Sequence, residues 1–557
     1  MQGVVTMRGF SDHVAWHGGR PGWRRLWHAV IGGVVTLALV SSAGGTGGTA
    51  NGTENSRANS TANGGTNGTE NSTANSAANG VMSGTTNSRA NRTVNGVMNS
   101  TANSTANGVT TSTAPTTDTT TDTTTDTTTD TTTDTTTDTT TDTTTDTTTA
   151  QIARGAYLAK AADCAGCHTA PPRVTHPGAA PTATPAFAGG LGMVSPFGTI
   201  YSSNITPDPR SGIGRYSYDD FARAVREGVV PGGKRLYPAM PYPSFAKIDD
   251  ADLHALYAYF MHGVQPVAAP APATRLPFPF NQRWALAVWN WAFAPSGPFK
   301  PEPTRDAQWN RGAYLAQSLG HCGACHTPRG AAYQERGYSE ADPLFLTGGT
   351  NDHWFAPNLT GDPGSGLGRH SAADIAAFLK HGHGGGLIAF GSMVQVVEDS
   401  TQYLSDADLA ALAAYLKSLP PRAPSGHFNE RSRAARQSVQ ALKTGDVERP
   451  GAGLYAAYCA RCHQTDGAGV PQKYPRLAGN PAVLSASSTS LVRLLVEGGR
   501  SPRTEHGPEP RKMPSFADQL SDSEMAHVLT FIRNTWGNAA APVTTRDVSS
   551  VRGALHK

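Results

Sequence analysis

All six cysteines of this 557-residue chain stand in pairs, and each pair runs directly into a histidine: Cys164-Ala-Gly-Cys167-His168, Cys322-Gly-Ala-Cys325-His326 and Cys459-Ala-Arg-Cys462-His463. Two thiols three positions apart reach the two vinyl groups on one edge of a haem, and the adjacent imidazole then lies beneath the iron as an axial ligand. The same spacing also serves zinc sites, redox dithiols and structural disulfides. Three copies that use every cysteine, with no companion Cys-x-x-Cys to complete a four-sulfur zinc site, favour three covalently attached c-type haems. The fold must therefore place three such edges.

The N-terminus indicates export. Arg20, Arg24 and Arg25 precede an apolar run from Ala29 to Val40 that ends in Ser41-Ser42-Ala43. This is the order of a secretory signal peptide, assigned to residues 1–43. The run is short for a bilayer span, which leaves a permanent anchor as the alternative. A periplasmic location on the outer face of the inner membrane agrees with covalent haem attachment. Residues 44–150 are low in complexity, first Asn/Thr/Ser/Gly units and then Thr-Thr-Thr-Asp with Asp at every fourth position from Asp118 to Asp146. Such a tract buries too little apolar surface to offset chain entropy and is expected to be disordered, either a spacer or a passive insertion. With 45 basic and 42 acidic residues the net charge is +3, too balanced for a nucleic-acid partner, and haem propionates would lower it further.

From Gln151 the chain repeats itself. Arg154-Gly-Ala-Tyr-Leu-Ala159 returns as Arg311-Gly-Ala-Tyr-Leu-Ala316, and Asn204-Ile-Thr-Pro207 with Gly212-Ile-Gly-Arg215 returns as Asn358-Leu-Thr-Gly361 with Gly366-Leu-Gly-Arg369. Each repeat closes on a helical segment, beginning at Asp249, Ser405 and Ser521. Ser405 and Ser521 are expected to cap these helices, with Asp408 and Glu524 completing capping boxes, and Asp249 with Asp252 playing the same parts. The expectation is a mostly α chain of three consecutive class I cytochrome c-like domains, at residues 151–263, 301–420 and 447–540. A linker rich in Pro and Trp (264–300) and a polar, exposed one (421–446) would separate them. Trp284, Trp289 and Trp291 in the first linker are expected to pack two domains together, with a membrane interface as the alternative.

An electron carrier needs a sixth iron ligand held in both oxidation states, and methionine raises the potential relative to a second histidine. Met240 and Met513 each stand before a proline in a Met-Pro context that stiffens the backbone, and Met393 lies between His326 and the second closing helix. Met261 and Met525 fall in closing helices, where packing is the ordinary role. Met193 rivals Met240, and His381 or His383 rivals Met393.

With its three haem motifs, the repeated Arg-Gly-Ala-Tyr-Leu-Ala, the Asn-Ile-Thr-Pro loop and Leu236-Tyr-Pro-Ala-Met-Pro-Tyr242, the chain resembles the tri-haem cytochrome c subunits of bacterial membrane-bound dehydrogenases. These serve quinoprotein alcohol dehydrogenases and flavin-dependent gluconate, sorbitol and fructose dehydrogenases, and similar subunits serve molybdenum hydroxylases. The resemblance covers roughly residues 151–537 and implies His168 with Met240, His326 with Met393, and His463 with Met513 as axial pairs. It implies a large subunit bearing flavin, PQQ or molybdenum cofactor as electron donor, ubiquinone as acceptor, and peripheral membrane association. No Rossmann fingerprint or nucleophile with its base is readable, so substrate oxidation falls to the partner. A stand-alone carrier to a terminal oxidase, or a di-haem peroxidase with an open iron position, are the competing classes.

Overall fold

The computed structural model describes residues 140–172 and 182–555. The signal segment and the tract up to residue 139 lie outside the described residues. Helix α1, Thr140–Ala161, begins inside the Thr/Asp repeat, which corrects the expected boundary at 150. A poor helix former extends at modest cost once a docked turn has nucleated the helix, and Arg154–Ala161 supplies that turn.

The first haem motif forms the short helix α2, Cys164–His168, followed by the hairpin β1 (Gly192–Ser195) and β2 (Gly198–Tyr201). The repeat closes on α3, Asp250–Ala258. After the linker helix α4, Ala285–Phe293, the second repeat runs through α5 (Ala307–Gln317), α6 (Gly323–His326), α7 (Ser392–Asp399) and α8 (Asp406–Ser418). Then come α9 (Arg433–Thr444), α10 (Ala460–His463), α11 (Asp522–Arg533) and α12 (Thr545–Leu555). Sheet among the described residues is confined to two-stranded antiparallel ladders.

One crossing recurs three times. In each repeat the helix leading into the haem motif meets the closing helix at a glycine. A Cβ on Gly155 would collide with the Ala255 carbonyl oxygen, one on Gly312 with that of Ala411, and one on Gly451 with that of His527. Each struck carbonyl lies three residues after the third-position acid of its closing helix (Asp252, Asp408, Glu524). Only glycine lets the two backbones approach so closely.

The caps follow the expected pattern in part. Ser521 and Glu524 form a complete capping box. Ser405 accepts from the Asp408 N–H and Asp249 from the Asp252 N–H, but the reciprocal bonds are absent because long-range partners hold both carboxylates. Arg311 grips Asp408 through Nε and Nη2 at 2.7 Å each, and Arg154 reaches Asp252 Oδ1 at 3.0 and 2.8 Å. The tyrosines of the repeated motif cross over. Tyr157 of the first repeat donates to Asp408 of the second (2.5 Å), and Tyr314 of the second donates to Asp252 of the first (2.8 Å).

This exchange locks the first two repeats together. A single core runs through them, from Leu158 and Leu253 to Leu315, Leu409 and Tyr415. A second core, built on Tyr455, Val492, Met525 and Trp536, belongs to the third repeat. The segment 421–446 is not merely a polar linker. His427–Phe428 pairs antiparallel with Asn538–Ala539, and α9 buries Ala435 and places Leu442 in the second core. The third repeat also extends past residue 540, since α12 seals that core with fully buried Val548.

Candidate haem-attachment sites

Each motif histidine is oriented in the same way. His168 Nδ1 lies 2.7 Å from the Ser203 carbonyl oxygen, His326 Nδ1 2.7 Å from that of Pro357, and His463 Nδ1 2.9 Å from that of Pro475. A carbonyl can only accept, so Nδ1 carries the proton and the Nε2 lone pair is left for a metal. Burial lowers the pKa of all three imidazoles, against a smaller opposite pull from those carbonyls, which keeps them neutral and able to ligate.

The accepting carbonyls are positioned by the repeated loops. Ser203 and Pro357 immediately precede Asn204 and Asn358. Asn204 Oδ1 accepts from the Thr206 N–H at 2.9 Å, and its Nδ2 donates to the Val267 and Ala269 carbonyls. Asn358 repeats this with the Thr360 N–H and the Arg422 carbonyl. The Asn-x-Thr repeat thus fastens the histidine's acceptor to the chain that follows each closing helix. Those acceptors were not identified from sequence, although the repeated Asn-x-Thr beside them was the available signal.

The thiols fit thioether attachment. Burial pushes Cys164, Cys322 and Cys459 up to about 12 and Cys167 to about 11, and raises Cys325. No group of three or more His, Cys, Asp or Glu with metal-holding geometry occurs among the described residues. The donor set therefore fits haem, with thiols for the vinyl groups and a neutral, oriented imidazole for the iron.

The methionines differ in setting. Met240 lies in a turn whose carbonyl accepts from the Tyr242 N–H at 2.8 Å, packed against the same core as Cys164 and Cys322. Met513 lies on Lys512–Met513, a short strand paired with Gly499–Arg500, against the core that holds Cys459. Met393 stands half-buried in the first turn of α7, a helix rather than a loop, and belongs to neither core. Of the rivals, Met193 is on β1 and Met525 is fully buried in the second core. His383 is buried with Nε2 unpaired, as is His370, which the sequence had not singled out.

The first two motifs lie close to one another. Burial lowers the pKa of His321, just before Cys322, against the opposing pull of a hydrogen bond to Ala162 of the first repeat. Gln395 on α7 donates to the Gly166 carbonyl inside the first motif at 3.3 Å. The third repeat joins through Ser490, which accepts from the Phe355 N–H (2.8 Å) and donates to its carbonyl (3.1 Å), and through the Arg476 N–H to the Gly386 carbonyl (2.9 Å).

Oriented histidines beside cysteine pairs in a helical chain define a c-type cytochrome, which binds haem covalently and transfers electrons. A cytochrome c family model matches residues 310–420 and 449–536. The cytochrome c subunit of a quinone-dependent alcohol dehydrogenase from Komagataeibacter europaeus is 46% identical over 407 residues, 72% of this chain and 84% of that one. The gluconate 2-dehydrogenase cytochrome c subunit of Pantoea cypripedii is 46% identical over 410 residues, covering 72% and 90%. The fructose dehydrogenase cytochrome subunit of Gluconobacter japonicus is 38% identical over 420 residues, covering 72% and 82%. The chain belongs to the family of cytochrome c subunits of alcohol, gluconate and fructose dehydrogenases.

Proposed function

We propose that this chain carries three haems and relays electrons from a dehydrogenase large subunit to ubiquinone on the periplasmic side of the inner membrane. The observation that supports this most is the threefold repetition of one arrangement: a cysteine pair, a histidine, and a backbone carbonyl 2.7–2.9 Å from Nδ1. The haems would supply one-electron storage. The chain's own residues would hold them: Cys164 and Cys167, Cys322 and Cys325, Cys459 and Cys462 by thioether bonds, and His168 with Met240, His326 with Met393, His463 with Met513 at the irons. Domains 151–263, 301–420 and 447–555 would each take one.

Relatives with alcohol, gluconate and fructose dehydrogenase names support a donor whose reduced flavin or quinone cofactor gives up two electrons, one at a time. The word quinone in one of those names supports ubiquinone as acceptor, taking two electrons and two protons from solvent. Saturated irons would leave no place for peroxide, which separates this reading from a peroxidase.

The test is an intact mass followed by reconstitution. Protein matured in a host that attaches haem should carry three haems per chain and be reduced by substrate only with its cognate dehydrogenase present. Two haems or fewer, or reduction by substrate alone, would overturn the proposal. Met393→His should lower one of three potentials, and an unchanged titration would move the ligand role to His383.

A further inference from the structure

Helix α4 has eight apolar residues and one polar one, Asn290, yet none of its residues is buried. Its inner stripe holds it to both of the first two repeats: Tyr242 Oη donates to Asn290 Oδ1 (2.6 Å) and Asn290 Nδ2 to the Glu227 carbonyl (3.0 Å) in the first, and Trp289 Nε1 donates to the Ala332 carbonyl (2.9 Å) in the second. The opposite stripe carries Trp284, Val288 and Trp291 at helical spacing, exposed by 71%, 52% and 72%. Domain packing thus accounts for Trp289 alone, which corrects the expectation for the other two tryptophans.

The stripe continues onto neighbouring chain. Phe278 is 79% exposed, and the Phe280 ring lies 4.6 Å from that of Phe197 in the β1–β2 turn, beside Val194 at 70%. The Tyr201 N–H donates to Thr274 Oγ1 at 2.9 Å and ties that hairpin to the same segment. Seven of the ten exposed large apolar side chains among the described residues fall in 194–201 and 278–291, so the exposure is concentrated rather than scattered.

Charge says what covers this face. Residues 264–301 contain Arg275, Arg283 and Lys300 and no acid, and the segment 228–246 adds Lys234 and Arg235 and no acid, against the exposed carboxylate of Glu227, whose carbonyl Asn290 reaches. A tryptophan-rich stripe with an excess of cations around it matches the headgroup layer of an anionic bilayer. A nine-residue helix, about 14 Å long, is too short to cross a bilayer but suited to lie flat in its surface. No described helix is long and apolar enough to span a membrane.

We infer that this face, Trp284, Val288 and Trp291 with Phe278 and Val194, docks the chain onto an anionic phospholipid surface. The inference deepens the proposed relay to quinone by naming the side that meets the membrane. Tyr237 Oη donates to the Phe280 carbonyl (3.0 Å), so the docking face rests on the same loop that presents Met240.

The haem-loaded full chain should cosediment with phosphatidylglycerol-rich vesicles, less with phosphatidylcholine ones, and less as salt rises. Trp284→Ser with Trp291→Ser should weaken that binding about tenfold or more, while Val447→Ser, exposed elsewhere, should leave it unchanged. Both variants should keep the wild-type haem spectrum, since the altered side chains are exposed. A double variant that binds as wild type does, or a wild type that ignores vesicles, would overturn the docking face. So would a double variant that loses its dehydrogenase while keeping the vesicles, since the face would then belong to a protein partner. Reduction by the partner in detergent solution is measured separately, and its failure would sink the relay reading whatever the vesicles show.

Discussion

Tyr157 and Tyr314 occupy equivalent places in the repeated Arg-Gly-Ala-Tyr-Leu-Ala, and each gives its hydroxyl to an aspartate of the other repeat. Tyr314 is 5% exposed, and burial together with the Asp252 charge holds its phenol well above the ordinary value. Tyr314→Phe should destabilise the first two repeats by about 1.5–3 kcal/mol, the range for a hydrogen bond to a charged group, as read by denaturant unfolding, without loss of haem. Glu335 makes a different prediction. Its carboxyl is buried, with Oε1 3.8 Å from Arg329 and Oε2 unpaired beside Gly323 of the second motif. Burial pushes it up to about 7 from an ordinary 4.5, with Arg329 and Lys247 pulling it back. The folded chain therefore binds more protons than the unfolded one between those values, so stability falls as pH rises from about 4.5 through 7. Glu335→Gln should flatten that fall in a thermal-melt series against pH, and an identical slope would refute the assignment. Each cysteine pair beside its histidine was legible in the sequence because that spacing is local. The Ser203, Pro357 and Pro475 carbonyls were not, because each lies 12 to 35 residues from the histidine it orients.

The glycine crossing is a property of helix pairs. It explains why a poor helix former sits in the middle of α5, since Gly312 gives up helix propensity to let α8 approach. Gly312→Ala would drive a methyl into the Ala411 carbonyl, and backbone cannot move aside as a flexible side chain can. The expected cost is about 1–3 kcal/mol, seen as a lowered unfolding midpoint for the first two repeats with the third unaffected. The closing helices themselves were readable, because a cap and an apolar stripe are local signals. Their capping boxes were only partly so: Asp408 obeys Arg311 and Tyr157, groups that a four-residue rule does not see. Helix α9 escaped for the opposite reason, since its arginines disguise the buried Ala435 and Leu442.

Among the described residues the repeats are three but the cores are two. Cutting the chain near residue 426 should release a fragment of the first two repeats that still folds and keeps two haems, since one core serves both. Cutting within 264–300 should leave neither piece stable, because Leu158 and Leu253 would lose Leu315 and Leu409. Far-UV circular dichroism and haem absorbance of the two fragments would separate these outcomes. The repeat number was visible in the sequence, whereas the sharing of a core was not, because it depends on contacts such as Tyr157 to Asp408, 251 residues apart.

The crossed tyrosines also bear on how the protein is made. Each aspartate takes its arginine from its own repeat but its tyrosine hydroxyl from the other, so neither set of hydrogen bonds is complete until both repeats have folded. A chain that failed to load one of these two sites would leave the loaded neighbour incomplete, with part of the common interior open to proteolysis. Newly made chains would then survive as matched pairs of sites or be cleared, and the crossed bonds would act as a checkpoint on assembly.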